Sequence, residues 1–106
     1  MWVSIDLCIV PIGVGVSLSP YIAACQKTIE NHELDHELGP NGTAIEGEWD
    51  KVFECVKNCH EEIHCLGAKR IYTIVKVNTR TDKNQSFREK VSTVREKIDK
   101  YNPKIL

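Results

Sequence analysis

The chain has 106 residues, of which 42% are hydrophobic and 27% are charged. This length suits one domain with a sizeable core, so we expect a single domain over residues 1–106. Because 14 Lys and Arg are balanced by 15 Asp and Glu, no basic surface dominates and we expect no nucleic-acid partner.

The first sixteen residues are mostly apolar but do not resemble a secretory signal. They carry no Lys or Arg, and Asp6 and Pro11 interrupt the apolar run. Nothing approaches the length of a membrane span, so we expect no membrane partner. Five cysteines, an odd number scattered through predicted helices and strands, favour reduced thiols and a cytoplasmic location.

In chain order, alternating apolar residues predict a first strand over Trp2–Val10. Ser19 and Pro20 predict a helix start, with the Ser19 hydroxyl at the N-cap, and apolar spacing extends this helix to about His32. Residues 33–38 predict a weak edge strand.

A turn is predicted over Gly39–Gly42, followed by a strand that covers Thr43–Glu46 or extends a residue or two further, and that pairs back as a hairpin. Gly47 is interpreted as a break, and Asp50 as the N-cap of a second amphipathic helix that Gly67 ends.

The last third predicts one strand and one helix. Residues 71–77 alternate as a strand, and Ser86 and Glu89 have the spacing of a capping box. An apolar stripe then runs along a third helix to Tyr101.

This order of elements predicts an α+β, ferredoxin-like βαββαβ sandwich with an added C-terminal helix. We expect the first and third strands to be central, parallel neighbours. Their carboxyl ends would then bring residues 11–19 beside residues 46–50, with two helix N-termini at the same edge. Such an edge favours a polar or anionic ligand.

A split βαβ layer covers only one face of its sheet with helices. The other predicted face carries Cys8, Val10, Tyr72 and Ile74, which is a large apolar surface to leave in water. We therefore expect a homo-oligomer, either a dimer or a tetramer.

Residues His60 to His64 match the HExxH pattern of zinc metalloproteases on a predicted helix. The only other histidines, His32 and His36, sit near a helix end and a weak strand, so no third ligand is evident. We interpret the match as coincidental and expect no catalytic metal, while capture of an adventitious metal by Cys59, His60 and His64 stays open.

Several residues have a structural and a functional interpretation. Cys55 and Cys59 form no CxxC pair and are expected to pack in the core. Trp49 is either a hydrophobic staple or a lid on the expected pocket. Arg80 and Lys83 belong either to a solvated loop or to contacts with an anion or a neighbouring subunit.

Five blocks of this sequence resemble the signature of a small thiamine-binding protein family, long known only as uncharacterised, and the likeness covers nearly the whole chain. The Gly-Thr-x-Ile-Glu-Gly block is the most specific of them. The blocks are Val10-Pro-Ile-Gly13, Ser19-Pro-Tyr-Ile22, Gly42-Thr-Ala-Ile-Glu-Gly-Glu-Trp-Asp50, Cys59-His-Glu61 and Arg80-Thr-Asp-Lys83.

The resemblance implies a ferredoxin-like fold, dimers or tetramers, binding of thiamine or its hydroxymethylpyrimidine half, and no known catalytic activity or cofactor. An aminopyrimidine offers a ring-nitrogen acceptor beside an amino donor, which a carboxyl group or a hydroxyl with backbone amides can satisfy. The expected ligand-binding residues are Ser17, Ser19, Thr43, Glu46 and Trp49.

Glu46 would also attract the cationic thiazolium ring, although an ion pair across a subunit boundary is an equal alternative for this residue. The main functional hypothesis is a non-enzymatic, cytoplasmic binding protein. The alternatives are a regulatory or structural module that binds another small anion at the helix N-termini, and a metal-dependent hydrolase that rests on HExxH alone.

Overall fold

The computed structural model describes residues 1–103, which form a four-stranded antiparallel sheet and three helices. The sheet order is β2-β3-β1-β4. This is the predicted α+β, ferredoxin-like arrangement with an added C-terminal helix. The elements are β1 (Trp2–Ile12), α1 (Ser19–Asn31), β2 (Asp35–Leu38), β3 (Thr43–Glu48), α2 (Trp49–Cys65), β4 (Arg70–Asn78) and α3 (Phe87–Lys100).

The two central strands run antiparallel, so the predicted parallel pairing of β1 and β3 is wrong. Trp2 lies opposite Glu48, and Leu7 lies opposite Thr43. The cause is the tight turn over residues 39–42, where the Gly39 N–H donates to the Gly42 carbonyl at 2.8 Å. The connection through α1 leaves β2 pointing in the same direction as β1. Because the turn then reverses the chain, β3 runs against both strands.

The core lies between one face of the sheet and the helices α1 and α2. Alternate residues of β1 point into it, as the sequence pattern predicted. Cys25, Cys55 and Cys59 are buried between the two helices, which confirms a packing role for Cys55 and Cys59. The other buried apolar side chains of this face include Val3, Ile5, Leu7, Ile9, Ile29, Ile45, Val52 and Ile63.

Both predicted side-chain caps on the first two helices are wrong. Leu18 is the N-cap of α1 and Glu48 is the N-cap of α2, and neither side chain caps its helix. Ser19 is instead the first residue of α1, and Asp50 lies inside α2. Asp50 is not the cap of α2 because β3 extends to Glu48, the far limit of the predicted strand, and leads directly into the helix at Trp49.

Gly47 lies within β3 and does not break it. A Cβ atom at this position would lie 2.7 Å from Cδ2 of Leu34, a side chain packed against the core. The glycine therefore serves the close approach of the 32–34 segment to the sheet.

The third helix is attached to the other face of the sheet, called the open face below, through its first turn only. Ser86 Oγ accepts a hydrogen bond from the Glu89 N–H at 3.2 Å, which confirms the Ser86 half of the predicted capping box. Phe87 is buried, whereas every residue from 88 to 100 is exposed. The apolar side chains of Val91, Val94 and Ile98 consequently face solvent.

Among residues 1–103, no helix is both long enough and apolar enough to cross a membrane.

Candidate functional site

A cavity of about 330 Å³ lies between α1, the carboxyl half of β1 and the β2–β3 turn. It is lined by residues 7–10 of β1, by residues 38–43 of the hairpin, and by five residues on the α1 side. Its volume falls at the lower end of the range typical of small-molecule sites, roughly 300–1,000 Å³. The cavity therefore has room for a small ring system.

The cavity exists because the two central strands differ in length. β1 has 11 residues and β3 has six. Their pairing ends at Leu7 and Thr43, while β1 continues alongside β4 as far as Ile12. Within the described part of the chain, the side of β1 that faces away from β4 at residues 8–10 therefore has no strand partner. Its free main-chain groups can donate to and accept from a ligand.

One hydrogen-bonded pair gives the cavity a polar side. Gln26 of α1 donates from Nε2 to Thr43 Oγ1 at 2.9 Å, and the Thr43 side chain is buried. Asn41 is the other polar side chain of the lining, and no charged side chain belongs to it. An environment of this kind suits a flat, uncharged group with hydrogen-bonding edges.

The structure brings only part of the sequence-predicted site together. Thr43 lines the cavity, and Ser17 and Ser19 lie at the start of α1 without joining the lining. Glu46 and Trp49 lie at the opposite end of β1, since β3 runs toward Trp2. The expected shared pocket of residues 11–19 and 46–50 is therefore wrong.

The expectation that two helix N-termini share one edge of the sheet is wrong for the same reason. α1 begins after the carboxyl end of β1, whereas α2 begins where β3 reaches the amino end of β1. The two N-termini are at opposite edges and cannot hold one anion together.

Glu46 is buried on the open face, with 2% of its surface exposed, beneath the start of α3. Its Oε2 accepts a hydrogen bond from the Phe87 N–H at 3.0 Å. Burial raises the pKa of the Glu46 carboxyl above its usual value, and the Phe87 N–H and the Trp2 side chain oppose that rise. Glu46 therefore connects β3 to α3 rather than facing the cavity.

Trp49 packs within α2 and does not cover the cavity. Its ring lies 4.6 Å from that of Phe53, one turn along the helix, measured between centroids. Its main-chain N–H donates to the Met1 carbonyl at 2.8 Å. These contacts place it against the amino end of β1, so a lid on the cavity is not its role.

The two histidines of the HExxH segment both contact neighbouring groups. His60 Nε2 lies 2.6 Å from Thr73 Oγ1 on β4, and His64 Nδ1 lies 2.7 Å from the Ala68 carbonyl. Burial, with a smaller contribution from His64, lowers the pKa of His60. Across the described residues, no three side chains of the metal-binding types come together.

Sequence reasoning missed Gln26 and the free edge of β1. Gln26 stands on a helix among ordinary amphipathic spacing and carries no signal of its own. The free edge of β1 did carry a signal in the sequence. The alternating pattern of β1 is longer than the strand of the Gly-Thr-x-Ile-Glu-Gly block, so that strand can pair with only part of β1.

The chain matches the profile of the family described as thiamine-binding protein over residues 5–95. It is 52% identical over 94 residues to UPF0045 protein sll0230 of Synechocystis, covering 89% of this chain and 78% of that protein. It is 39% identical over 98 residues to UPF0045 protein ECM15 of Eremothecium gossypii, covering 92% and 93%.

Solved structures agree with the fold. A hypothetical protein from Methanocaldococcus jannaschii superposes with a TM-score of 0.82 at 25% identity, covering 90% of this chain and 97% of that one. A candidate thiamine biosynthesis/salvage protein from Thermotoga maritima gives 0.77 at 23% identity, covering 89% and 99%.

Proposed function

Since the chain belongs to the thiamine-binding protein family, we propose that it is a non-enzymatic binding protein for thiamine or its hydroxymethylpyrimidine half. The observation that carries the proposal is the 330 Å³ cavity, in which a free strand edge faces the Gln26–Thr43 pair. The five free thiols, three of them buried, support a cytoplasmic location.

The pyrimidine half fits the chemistry of the cavity. An aminopyrimidine places a ring-nitrogen acceptor next to an amino donor, and a strand edge offers N–H and carbonyl groups that match this pair. Thr43 and Gln26 supply a hydroxyl and an amide at the same wall. Because the lining has no charged side chain, the neutral ring is the half of thiamine that enters.

The cationic thiazolium ring then remains at the mouth, where Asp6 provides a carboxylate. Asp6 is exposed on the open face and lies beside Gly42, which lines the cavity. Its Oδ1 is 2.7 Å from where a Cβ of residue 42 would be. In this proposal Asp6, rather than the buried Glu46, attracts the positive charge.

Calorimetric titration with thiamine and with hydroxymethylpyrimidine tests the site. Thr43→Val removes the hydroxyl with little change in volume, and we expect both ligands to bind about tenfold more weakly, a loss of about 1.4 kcal/mol. Thr28→Val on α1 is the matched control, because its hydroxyl bonds only to the Ala24 carbonyl. Equal affinities for the two variants, or no binding by the unmodified chain, would refute the proposal.

The roles of the two carboxylates are separable in the same titration. Asp6→Asn should weaken thiamine binding several-fold and leave the pyrimidine unaffected, since only thiamine carries the thiazolium charge. Glu46→Gln should alter neither affinity. A loss of thiamine affinity on Glu46→Gln would return that residue to the site.

We also propose that the protein works as a homo-oligomer, a dimer or a tetramer. The open face exposes Tyr72 and Ile74, which are 60% and 49% accessible. The exposed apolar stripe of α3 adds to this surface, and a helix of 14 residues is only marginally stable in water without packing.

Light scattering after size-exclusion chromatography measures the assembly directly. Ile74→Arg places a charge in the centre of the open face and should yield a monomer. Val16→Arg in the exposed β1–α1 loop is the control and should keep the oligomeric mass. A monomeric mass for the unmodified chain at micromolar concentration would contradict the proposal.

A further inference from the structure

A second cleft, of about 160 Å³, lies at the other end of β1 from the cavity. It is formed by the start of β1, the end of β4, the loop over residues 79–85 and the first turn of α3. Its nine lining residues include three cations and no carboxylate, in a chain with a net charge of −1. The cations are Arg80, Lys83 and Lys90.

We propose that this cleft binds the phosphoryl group of a phosphate or diphosphate compound. Phosphoryl oxygens are acceptors only, and the lining supplies matching donors. Besides the three cations it contains the hydroxyls of Ser4 and Thr79 and three side-chain amides.

Two of the three cations of the cleft are not paired with carboxylates of the described chain. Lys83 and Lys90 form no ion pair with any described residue. Arg80 is held in place by Asp82, with Nη2 to Oδ2 at 2.8 Å, and by Gln85 at 3.2 Å. Two free ammonium groups therefore join a fixed, partly neutralised guanidinium.

Trp2 lies on the border between the cleft and a more acidic depression. Glu48 and Glu89 line that depression, which shares Trp2, Asn84 and Gln85 with the cleft and does not include the three cations. Trp2 is 46% exposed, so its indole can contact a ring attached to the phosphoryl group. The volume is well below that of a site enclosing a whole drug-sized ligand, roughly 300 Å³ or more, so only the phosphoryl end would be enclosed.

The cleft is independent of the proposed thiamine cavity. Ser4 lines the cleft, and residues 7–10 line the cavity. At about 3.3 Å per residue, Ser4 and the centre of the cavity wall are more than about 13 Å apart along β1. The proposal therefore does not depend on thiamine binding.

Calorimetric titration with inorganic pyrophosphate at low ionic strength tests the cleft. We expect saturable, one-to-one binding with a Kd below about 1 mM. The double variant Lys83→Gln, Lys90→Gln should bind at least about tenfold more weakly. The matched control is Lys97→Gln with Lys100→Gln, which removes the same charge from the far end of α3 and should change the affinity less than about twofold.

A gain-of-function variant makes the test independent of folding defects. Asp82→Asn removes the carboxylate that competes for Arg80 and should tighten pyrophosphate binding several-fold. Titration with thiamine diphosphate and with ribose 5-phosphate then distinguishes the source of the phosphoryl group. Absence of saturable binding, or equal weakening by the two lysine pairs, would overturn the proposal, and neither outcome affects the thiamine titration.

Discussion

The two faces of the sheet differ in how completely helices cover them. On the face covered by α1 and α2, side chains such as Val3 and Ile45 are completely buried. On the open face, α3 is held by the burial of Phe87, by the bond from its N–H to Glu46, and by Arg88. Beyond that first turn, the helix contacts solvent.

The attachment of α3 is polar as well as local. The Arg88 guanidinium lies 4.8 Å above the Phe87 ring and reaches Asp35 and Glu37 of the edge strand, each at 3.1 Å. Exposed ion pairs of this kind contribute little and weaken with salt. The covered face therefore supplies most of the stability of the monomer, while the open face leaves apolar side chains such as Tyr72 and Ile74 exposed.

The largest expected effect is on the covered face. Ile45→Ala removes a fully buried side chain from the centre of the sheet and should lower the free energy of unfolding by about 2–5 kcal/mol. Val16→Ala in the exposed loop should change it by less than about 0.5 kcal/mol. Urea denaturation of both variants measures the difference, and equal midpoints would contradict the buried role of Ile45.

A pair of glycine substitutions compares the two faces directly. Gly47→Ala drives a methyl group into Leu34 on the covered face and should cost about 1–3 kcal/mol, because Leu34 is packed against the core. Gly42→Ala meets Asp6 at the same distance, 2.7 Å, but Asp6 is exposed and can rotate away. We expect a cost below about 0.5 kcal/mol there. Urea denaturation measures both variants, and an equal loss of unfolding free energy would contradict the different packing of the two sites.

The attachment of α3 can be broken without unfolding the rest. Phe87→Ala removes its only buried side chain, so amide hydrogens of residues 90–100 should exchange about tenfold faster or more, while those of β1 and α2 stay protected. Val91→Ala, one turn along and exposed, serves as the control. Faster exchange in β1 would show that α3 and the sheet unfold as one unit.

The smallest expected effect is a change in pH dependence. Burial raises the pKa of Glu46 above its usual value of 4.5, so the folded chain keeps this proton at pH values where the unfolded chain has lost it. The contribution of Glu46 to stability is therefore complete below the unfolded pKa and is lost as the pH rises through the folded pKa.

Glu46→Gln cannot titrate and should remove this loss. Its free energy of unfolding, relative to the unmodified chain, should accordingly rise as the pH increases from about 4 to about 7. Glu96→Gln on the exposed part of α3 should show no such trend. If the difference in unfolding free energy between the Glu46→Gln variant and the unmodified chain did not change with pH, the buried carboxyl would not be a source of the pH dependence.

Sequence periodicity predicted most of the fold because it reports local geometry. The alternation of β1, the helical spacing of α2 and the Ser86 cap are each decided by residues close together in the chain, and the structure contains all three. The predicted caps at Ser19 and Asp50 are wrong because both helices begin earlier than the polar residues suggested. α1 starts at Ser19 itself, and β3 leads directly into α2 at Trp49.

The candidate site could be predicted only in part. Thr43 was recognised from its block, whereas its partner Gln26 comes from an element 17 residues away, and no local pattern links the two. Glu46 belongs to the same block as Thr43 but points to the other face of the sheet, where α3 covers it.

The amino-acid sequence by itself determined the family, the elements and the apolar face of each one, since these follow from neighbouring residues. Only the tertiary structure decided that β3 runs against β1, and hence that the cavity and the basic cleft lie at opposite ends of one strand. Strand direction depends on which distant hydrogen bonds form, and a period of two residues is the same in either direction.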